Sequence, residues 1–270
     1  MLNHATPRPS LPADIDRPDA APFEFFNPNG RARVLLVCDH ASRVVPAHLN
    51  RLGLDLGHFD KHIAYDIGAA AITRLLAERL DAPAILGGVS RLVVDLNRAP
   101  GDPGSIPETS DAIAIPGNRG LSEAELDHRI DAWFRPYHTA VTTELARLWR
   151  RDGPPALFSI HSFTPAMGGQ SRVWDIGVLW NRDPRMAMPL IQHLKAWGGF
   201  TVGDNEPYSG KEVAYTIDRH GGAAGLPHVA IEIRQDHVET DIEAWHWADI
   251  LAGVLREIMA DPMLFRVEHF

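Results

Sequence analysis

The sequence has few of the features that mark extracellular or membrane-spanning proteins. It contains one cysteine, Cys38, in 270 residues, so no disulfide can form within the chain and a reducing compartment is expected. No apolar run approaches the roughly 20 residues that a transmembrane helix needs. The N-terminus lacks the basic start and apolar core of a secretory signal. These absences predict a soluble, cytoplasmic protein.

Positive charge is also scarce. The chain has 26 lysines and arginines against 35 aspartates and glutamates, which gives a formal net charge of −9. Binding to phosphates requires a basic surface, so this balance disfavours a general role on nucleic acid or on an anionic membrane. The composition leaves the oligomeric state open.

Several motifs of common enzyme chemistry are missing. The sequence has no G-x-x-x-x-G-K-[ST] and no G-x-G-x-x-G after an apolar strand, so nothing supports nucleotide binding. It has no G-x-S-x-G to expose a serine nucleophile and no H-E-x-x-H to hold zinc on one helix. Cys38 lies within an apolar run, which indicates a core residue and not a nucleophile.

The chain divides into an N-terminal arm and one domain. Residues 1–30 contain six prolines and no sustained periodicity, which predicts an extended arm that Phe23, Phe25 and Phe26 anchor to the body. Residues 31–270 show no internal repeat and no linker. A chain of this size buries about three quarters of its unfolded surface, so a single domain needs no disulfide to fold.

Apolar strands alternate with amphipathic helices over this domain. The strands are continuously apolar, which is typical of a largely parallel sheet covered on both faces. A capping box, Ser122 with Glu125, opens one of the helices. The predicted strands are 34–38, 84–86, 92–96, 156–160, 176–180, 200–203 and 229–233, and the predicted helices are 57–80, 122–151, 184–197 and 240–260.

Chemically active side chains occur where predicted strands end. His40 and His161 each follow a buried strand, where open α/β sheets bind their ligands. Glu232 interrupts a third apolar strand, which is costly unless the carboxylate is paired or metal-bound. Asp66 follows His62 by four residues in the predicted helix 57–80, a spacing that also fits a surface contact. Either strand-end histidine alone is more often structural, so the residues themselves leave both explanations open.

Four arginines lie in loop-like or strand-end contexts. The guanidinium fork matches a carboxylate bidentately, so these arginines predict recognition of an acidic small molecule. A structural salt bridge to a neighbour such as Asp95 or Asp218 explains each of them equally well. The four are Arg91, Arg98, Arg172 and Arg219.

Seven short motifs occur in an order that resembles the N-formylglutamate amidohydrolase family. The resemblance spans about residues 32–250. Each motif is short, and their number and order make the match specific. The motifs are VCDHAS at 37–42, DIGA at 66–69, SRLVVDLNR at 90–98, IHSF at 160–163, NEPYSG at 205–210, DRHG at 218–221 and EIRQ at 232–235.

This resemblance implies a fold and a reaction. The fold is similar to that of zinc carboxypeptidases and aspartoacylase-type deacylases: one three-layer α/β/α domain around a mixed, mostly parallel sheet. The family's reaction is the hydrolysis of N-formyl-L-glutamate to formate and glutamate in histidine breakdown. The resemblance therefore implies Zn²⁺ or another divalent ion, and a small acidic N-acyl amino acid as substrate.

The resemblance also implies the metal ligands and the general base. His40 and His161 match family histidines and are expected to bind the metal ion. Carboxypeptidase-type sites take a glutamate three residues after the first histidine, where this chain has Arg43, so Asp66 is expected to be the third ligand. Glu232 matches the glutamate of the last motif and is the expected general base.

The remaining roles concern the substrate. Arg91 is expected to stabilise the oxyanion, and Arg219 is the alternative for this role or for holding a substrate carboxylate. Asn97 and Arg98 are expected to bind the α-carboxylate, and Tyr208 is expected to contact the substrate.

The sequence does not determine which substrate the protein binds. Family members that act on formylglutamate tend to carry Pro-His-Ser-Gly where this chain has DHAS at residues 39–42. Hydrolysis of another N-acyl amino acid, or of a small peptide amide, fits the same residues. A non-catalytic binder of acidic metabolites would keep the arginines and bind no metal.

Overall fold

A seven-stranded sheet organises residues 15–270, the part of the chain that the computed structural model describes; residues 1–14 of the predicted arm lie outside it. The strands are β1 Phe23–Phe26, β2 Val34–Cys38, β3 Ala84–Gly87, β4 Ala156–Phe163, β5 Ile176–Leu179, β6 Val202–Asp204 and β7 His228–Arg234. The helices are α1 Ala69–Leu80, α2 Glu123–Arg129, α3 Arg135–Asp152, α4 Pro184–Trp197, α5 Tyr215–His220 and α6 Asp241–Met259. In this described part, none of the helices combines the length and the hydrophobicity needed to cross a membrane.

The sheet is mixed and mostly parallel, as predicted. Its strand order is β6-β5-β7-β4-β2-β3-β1. The central strands β7, β4, β2 and β3 are mutually parallel, β5 and β6 run in the opposite direction, and β1 pairs antiparallel with β3. The carboxyl ends of four neighbouring strands therefore share one edge, where side chains from distant parts of the sequence can meet.

Both faces of the sheet are covered, which explains its continuously apolar strands. In β2, Val34, Leu36 and Cys38 pack with α1, α4 and α6 on one face. Leu35 and Val37 pack with α3 and α5 on the other face. The predicted three-layer arrangement is confirmed, and Cys38 is a buried core residue.

The predicted helix 122–151 is confirmed with one interruption. Ser122 and Glu125 form the capping box, because the Glu125 carboxylate accepts the Ser122 backbone N–H at 2.8 Å and the Ser122 hydroxyl accepts the Glu125 N–H. A π-helical turn at Ile130–Phe134 joins α2 to α3. Such a turn inserts one residue and shifts the buried face, which apolar spacing alone does not indicate.

The prediction of a helix over 57–80 is wrong in its first half. Only α1 is α-helical there, and a short 3₁₀ turn and irregular backbone precede it. Gly68 adopts a left-handed φ of 80°, so α1 cannot extend toward the N-terminus beyond this residue. His62 and Asp66 therefore do not share a helix face, and Asp66 lies in a loop.

The predicted strand 92–96 is also wrong. This segment is a loop after β3, and its apolar residues are buried without pairing to another strand. A short apolar run cannot be distinguished from a strand by its pattern alone. The Ser90 hydroxyl donates to the Ala64 carbonyl at 2.7 Å and Asp95 N–H donates to the Ser105 carbonyl at 2.7 Å, which anchors the loop at both ends.

Part of the predicted N-terminal arm belongs to the sheet. β1 forms its edge strand, with Phe23 and Phe26 packed against the cores on opposite faces. Phe25 is 38% exposed. Residues 15–30 therefore contribute to the domain. The last predicted strand before α5, 200–203, is shifted to Val202–Asp204.

Close approach of two backbones constrains the end of β3. A Cβ added at Gly87 would lie 2.2 Å from the carbonyl oxygen of Asp39. We expect Gly87→Ala to lower the free energy of unfolding by about 3 kcal/mol, measured by urea denaturation. Gly57→Ala is the control, because nothing lies within 4 Å of the added atom. Equal stability of the two variants would contradict this packing.

Candidate active site and metal centre

Three buried side chains meet at the carboxyl edge of the parallel strands. His40 lies two residues beyond β2, His161 lies in β4, and Asp66 lies in the loop before α1. Asp66 Oδ2 is 2.8 Å from Nδ1 of His161 and 3.3 Å from Nδ1 of His40. One atom from each side chain lies within 4.8 Å of the other two. The structure thus brings together the three ligands that the sequence predicts.

Backbone contacts hold the Asp66 loop against the two strands. The Asp66 N–H donates to the His40 carbonyl at 3.0 Å, and the Ser162 N–H donates to the Asp66 carboxylate at 3.4 Å. The Ser162 hydroxyl donates to the Ile67 carbonyl at 2.7 Å. The loop before α1 is therefore tied to the ends of β2 and β4, which aims Asp66 between the two histidines.

A second pair of carboxylates orients the imidazoles. Nε2 of His40 lies 2.7 Å from Asp95 Oδ1, and Nε2 of His161 lies 3.1 Å from Asp39 Oδ2. With Nε2–H donated outward, each ring can offer its Nδ1 lone pair to a cation held beside Asp66 once the Nδ1 proton has left. Metal-ligating histidines in proteins are commonly held in this way by a carboxylate. The donor set of two imidazole nitrogens and one carboxylate oxygen fits a divalent ion.

The electrostatics of the cluster make protons and metal compete. Burial raises the pKa of Asp66, but the neighbouring His40 and His161 rings hold that pKa far below its usual range. Burial lowers the pKa of both histidines, yet the carboxylates around them outweigh it and leave each pKa raised. A metal ion bound between these nitrogens must therefore displace protons.

Glu232 lies beside the cluster. It pairs in register with His161 across β7 and β4. Its Oε2 atom is buried and has no hydrogen-bond partner within residues 15–270. Burial raises the pKa of Glu232 to about 7, with His161 opposing and Asp66 reinforcing the shift. A carboxylate with this pKa can take up and release a proton near neutral pH.

Arg91 connects the inner and outer carboxylates. Its Nη1 lies 3.4 Å from Asp66 Oδ1, and its Nη2 lies 2.9 Å from Asp95 Oδ2. Burial opposes its charge, but these two aspartates keep its pKa above the usual value. The guanidinium therefore stays charged beside the three-residue cluster.

A cavity of about 270 Å³ opens over the cluster, and Arg91, Asn97, Arg98, Tyr208 and Glu232 line it. This volume is just below the roughly 300–1,000 Å³ of pockets for drug-sized ligands, so the cavity suits a small molecule. Asn97 Oδ1 accepts the Thr216 N–H at 2.9 Å, which leaves the Asn97 amide nitrogen as a donor. Arg98 is held only loosely, 3.9 Å from the Asp95 carboxylate and 3.8 Å from the Asp102 carboxylate.

Arg172 lies behind the cavity wall. Its guanidinium carbon is 4.7 Å from the Tyr208 ring centre and 5.6 Å from the Phe163 ring centre. It donates to the Thr164 carbonyl at 3.2 Å and to the Met167 sulfur at 3.0 Å, a weak acceptor. Those four contact residues all line the cavity. Within the described part of the chain, no carboxylate lies at ion-pair distance from Arg172.

The structure does not bring Arg219 to this cavity. The buried side of the six-residue helix α5 is formed by Thr216, Ile217 and His220. Arg219 lies on the opposite side, where it is exposed, and it does not line the cavity. Helical geometry therefore turns it away, which the loop-like context of its motif did not indicate.

Sequence reasoning missed two groups of the site. The sequence pattern gives Asp39 no role, although it directly precedes His40, and it indicates Asp95 only as a salt-bridge partner. His62 lines the cavity, 3.5 Å from the Asp111 carboxylate, and burial lowers its pKa. The adjacency of Asp39 to a predicted ligand was the one signal available, since the Asp95 contact depends on the loop after β3.

Comparison with known proteins supports the family resemblance and the fold. Residues 32–238 match the N-formylglutamate amidohydrolase family. The solved structure of gene product Atu2144 from Agrobacterium tumefaciens is 34% identical, with 88% of this chain and 94% of that chain covered and a TM-score of 0.86. The N-formylglutamate amidohydrolase structure from Ralstonia eutropha JMP134 is 20% identical, with 89% and 97% covered and a TM-score of 0.61. No curated protein matches.

The fold and the family match define the class of protein as a hydrolase of amide bonds, of mixed α/β architecture. Within that class, the chain belongs to the N-formylglutamate amidohydrolase family. The family resemblance that the seven motifs indicate is therefore confirmed. The Ralstonia structure, at 20% identity, supports the fold.

The pKa shifts of the cluster predict how pH and metal affect stability. Raised histidine pKa values contribute stability below the unfolded pKa of about 6.5, and this contribution is lost as pH rises through the folded values. The raised pKa of Glu232 acts in the same direction. We expect the Tm of chelator-treated protein to fall by about 5 °C between about pH 6 and about pH 8.5.

Added zinc should raise the Tm more at the higher pH, because fewer protons then compete for the ligands. Thermal melts with and without zinc measure both effects. In Asp66→Asn the zinc-dependent rise should disappear. A zinc effect that is equal at both pH values, or that persists in this variant, contradicts the ligand set.

Proposed function

We propose that this protein is a divalent-metal-dependent amidohydrolase that cleaves the amide of an N-formyl or other N-acyl amino acid. The reference reaction is the conversion of N-formyl-L-glutamate to formate and glutamate, which in this family belongs to histidine breakdown. The observation that carries the proposal is the buried Glu232 carboxylate oxygen, which lies beside the His40, Asp66 and His161 cluster and has no hydrogen-bond partner within residues 15–270. The single cysteine, Cys38, favours the cytoplasm as the setting.

The metal would be held by His40, Asp66 and His161, and Zn²⁺ is the proposed ion, although this donor set also accepts other divalent ions. A divalent ion there supplies positive charge that polarises an amide carbonyl and acidifies water. Asp39 and Asp95 are placed to accept the Nε2–H of the two imidazoles, which would leave Nδ1 for the metal once its proton is displaced. These two carboxylates also offset the positive charge of the centre.

Glu232 is proposed as the general base and then the general acid. Its carboxylate takes a proton from the attacking water as the new C–O bond forms on the amide carbon. It returns that proton to the amide nitrogen as the C–N bond breaks, so formate and the free amino acid leave. No hydrogen bond from the described part of the chain competes for Oε2, so this oxygen is available for the proton.

Three cavity residues are proposed to bind the rest of the amide substrate. Arg91 is placed to stabilise the oxyanion, since its charge is maintained beside the cluster. Asn97 and Arg98 are proposed to bind the α-carboxylate through the Asn97 amide nitrogen and the loosely held guanidinium.

Arg172, and not Arg219, is proposed to bind a second carboxylate of the substrate. Among arginines that line or contact the cavity, Arg91 and Arg98 have acidic neighbours, whereas Arg172 has none within residues 15–270. A substrate carboxylate is a stronger acceptor than the Met167 sulfur that Arg172 now contacts. Arg172 and the adjacent Tyr208 are therefore proposed to bind the side-chain carboxylate of glutamate.

The role of Glu232 is tested by Glu232→Gln. We expect kcat for N-formyl-L-glutamate to fall by about 10³-fold, because the amide cannot carry the proton. The zinc content should stay at the wild-type level, since Glu232 is not a proposed ligand. Release of glutamate and elemental analysis measure the two quantities. The exposed Glu239→Gln is the matched control, and unchanged turnover in Glu232→Gln would exclude this base.

The role of Arg172 is tested with an isosteric pair of substrates, N-formyl-L-glutamate and N-formyl-L-glutamine. We expect Arg172→Gln to lower the ratio of their kcat/KM values by at least about tenfold, because only the acid loses a charged hydrogen bond. Arg182→Gln, an exposed change outside the cavity, should leave the ratio unaltered. A ratio that is the same in wild type and Arg172→Gln refutes this assignment.

A further inference from the structure

A second buried pair of histidines lies outside the metal cluster. Nδ1 of His138 in α3 is 2.8 Å from Nε2 of His220 in α5, and the two rings meet edge to edge, with their planes 17° apart and their centres 5.1 Å apart. Both side chains are buried. His220 belongs to the DRHG motif at 218–221, for which the proposed reaction has no use.

The hydrogen bonds of the pair determine where its protons lie. His138 Nε2 is 2.9 Å from the Leu96 carbonyl oxygen, which can only accept, so this nitrogen carries the hydrogen. Burial lowers the pKa of both rings, that of His220 to about 3, so both are neutral at physiological pH. His138 Nδ1 is then an acceptor, and the hydrogen between the rings belongs to His220 Nε2. His220 thus selects the tautomer in which His138 donates to Leu96.

The Leu96 carbonyl, which this pair holds, lies within the loop after β3. Leu96 stands between Asp95, which orients His40, and Asn97, which lines the cavity. The Thr216 hydroxyl, also on α5, lies 3.4 Å from the same carbonyl oxygen. The backbone at residue 96 is therefore fixed from the side of the loop that faces away from the cavity.

From this geometry we propose that His138 and His220 are positioning residues for substrate binding. By fixing the Leu96 carbonyl, the pair holds Asn97 and Arg98 at the spacing that an α-carboxylate requires. The inference rests on the proposed function, since it assumes that these two residues bind that carboxylate. Neither histidine touches the substrate.

Two variants distinguish a hydrogen-bond donor at position 220 from a side chain that only fills space in the core. In His220→Leu the side chain fills most of the volume but donates nothing to His138. In His220→Gln the amide can still donate to His138 Nδ1. A packing role predicts similar defects in both variants, whereas a positioning role predicts rescue by glutamine.

The experiment compares zinc-loaded wild type, His220→Leu and His220→Gln on N-formyl-L-glutamate and on its α-carboxamide. We expect His220→Leu to raise KM for the acid by about tenfold, the effect of one or two lost hydrogen bonds, with little change in kcat. KM for the α-carboxamide should stay nearly constant, and His220→Gln should restore KM for the acid. Equal changes for both substrates, or no rescue by glutamine, overturn the proposal.

Binding of L-glutamate, measured by calorimetry on the same proteins, separates this inference from the proposed reaction. If the wild type hydrolyses neither substrate, the proposed reaction fails, and a tenfold weaker Kd in His220→Leu with recovery in His220→Gln still supports the positioning role. Equal Kd values, or no binding by the wild type, overturn it.

His193→Gln, on the exposed side of α4, is the histidine control. If His220→Leu does not fold, His220→Asn replaces it, because asparagine is too short to reach His138.

Discussion

The site depends on the balance of charge around two buried imidazoles. Asp66 lies between His40 and His161, while Asp95 and Asp39 take their outer nitrogens. Leaving any of these groups unpaired in a buried environment would cost free energy, so the five side chains stabilise one another. The same balance directs the Nδ1 atoms of both histidines toward Asp66, an arrangement that could hold a cation.

This requirement explains the loops around the cluster. The Asp66 loop is irregular because its carboxylate must reach between two strands, and a continued helix would turn Asp66 elsewhere. The loop after β3 provides Asp95 for His40, Arg91 for two aspartates, and Asn97 with Arg98 for the cavity. The loop after β3 therefore joins the buried cluster to the cavity, and α3 and α5 contact it through His138 and Thr216 at the Leu96 carbonyl.

Much of the fold follows from local pattern. Continuous apolar strands such as β2, and the capping box at Ser122, have physical causes that act within a few residues, so sequence reasoning found them. The errors came where an apolar pattern continued through a segment whose backbone is decided by other contacts. The predicted helix over 57–80 and the predicted strand over 92–96 both contain buried apolar residues, yet hydrogen bonds between these two loops determine their conformation.

For the site, the sequence by itself determined which groups are available: imidazoles at strand ends, a glutamate in a buried strand, and arginines near them. Order along the chain also identified the family. Only the tertiary structure decided which of these groups meet, because the proximity of His40, Asp66 and His161 depends on strand order and loop paths. It also placed Arg172 beside the cavity through a loop, and it turned Arg219 away from the cavity because that side chain lies on the exposed face of its helix.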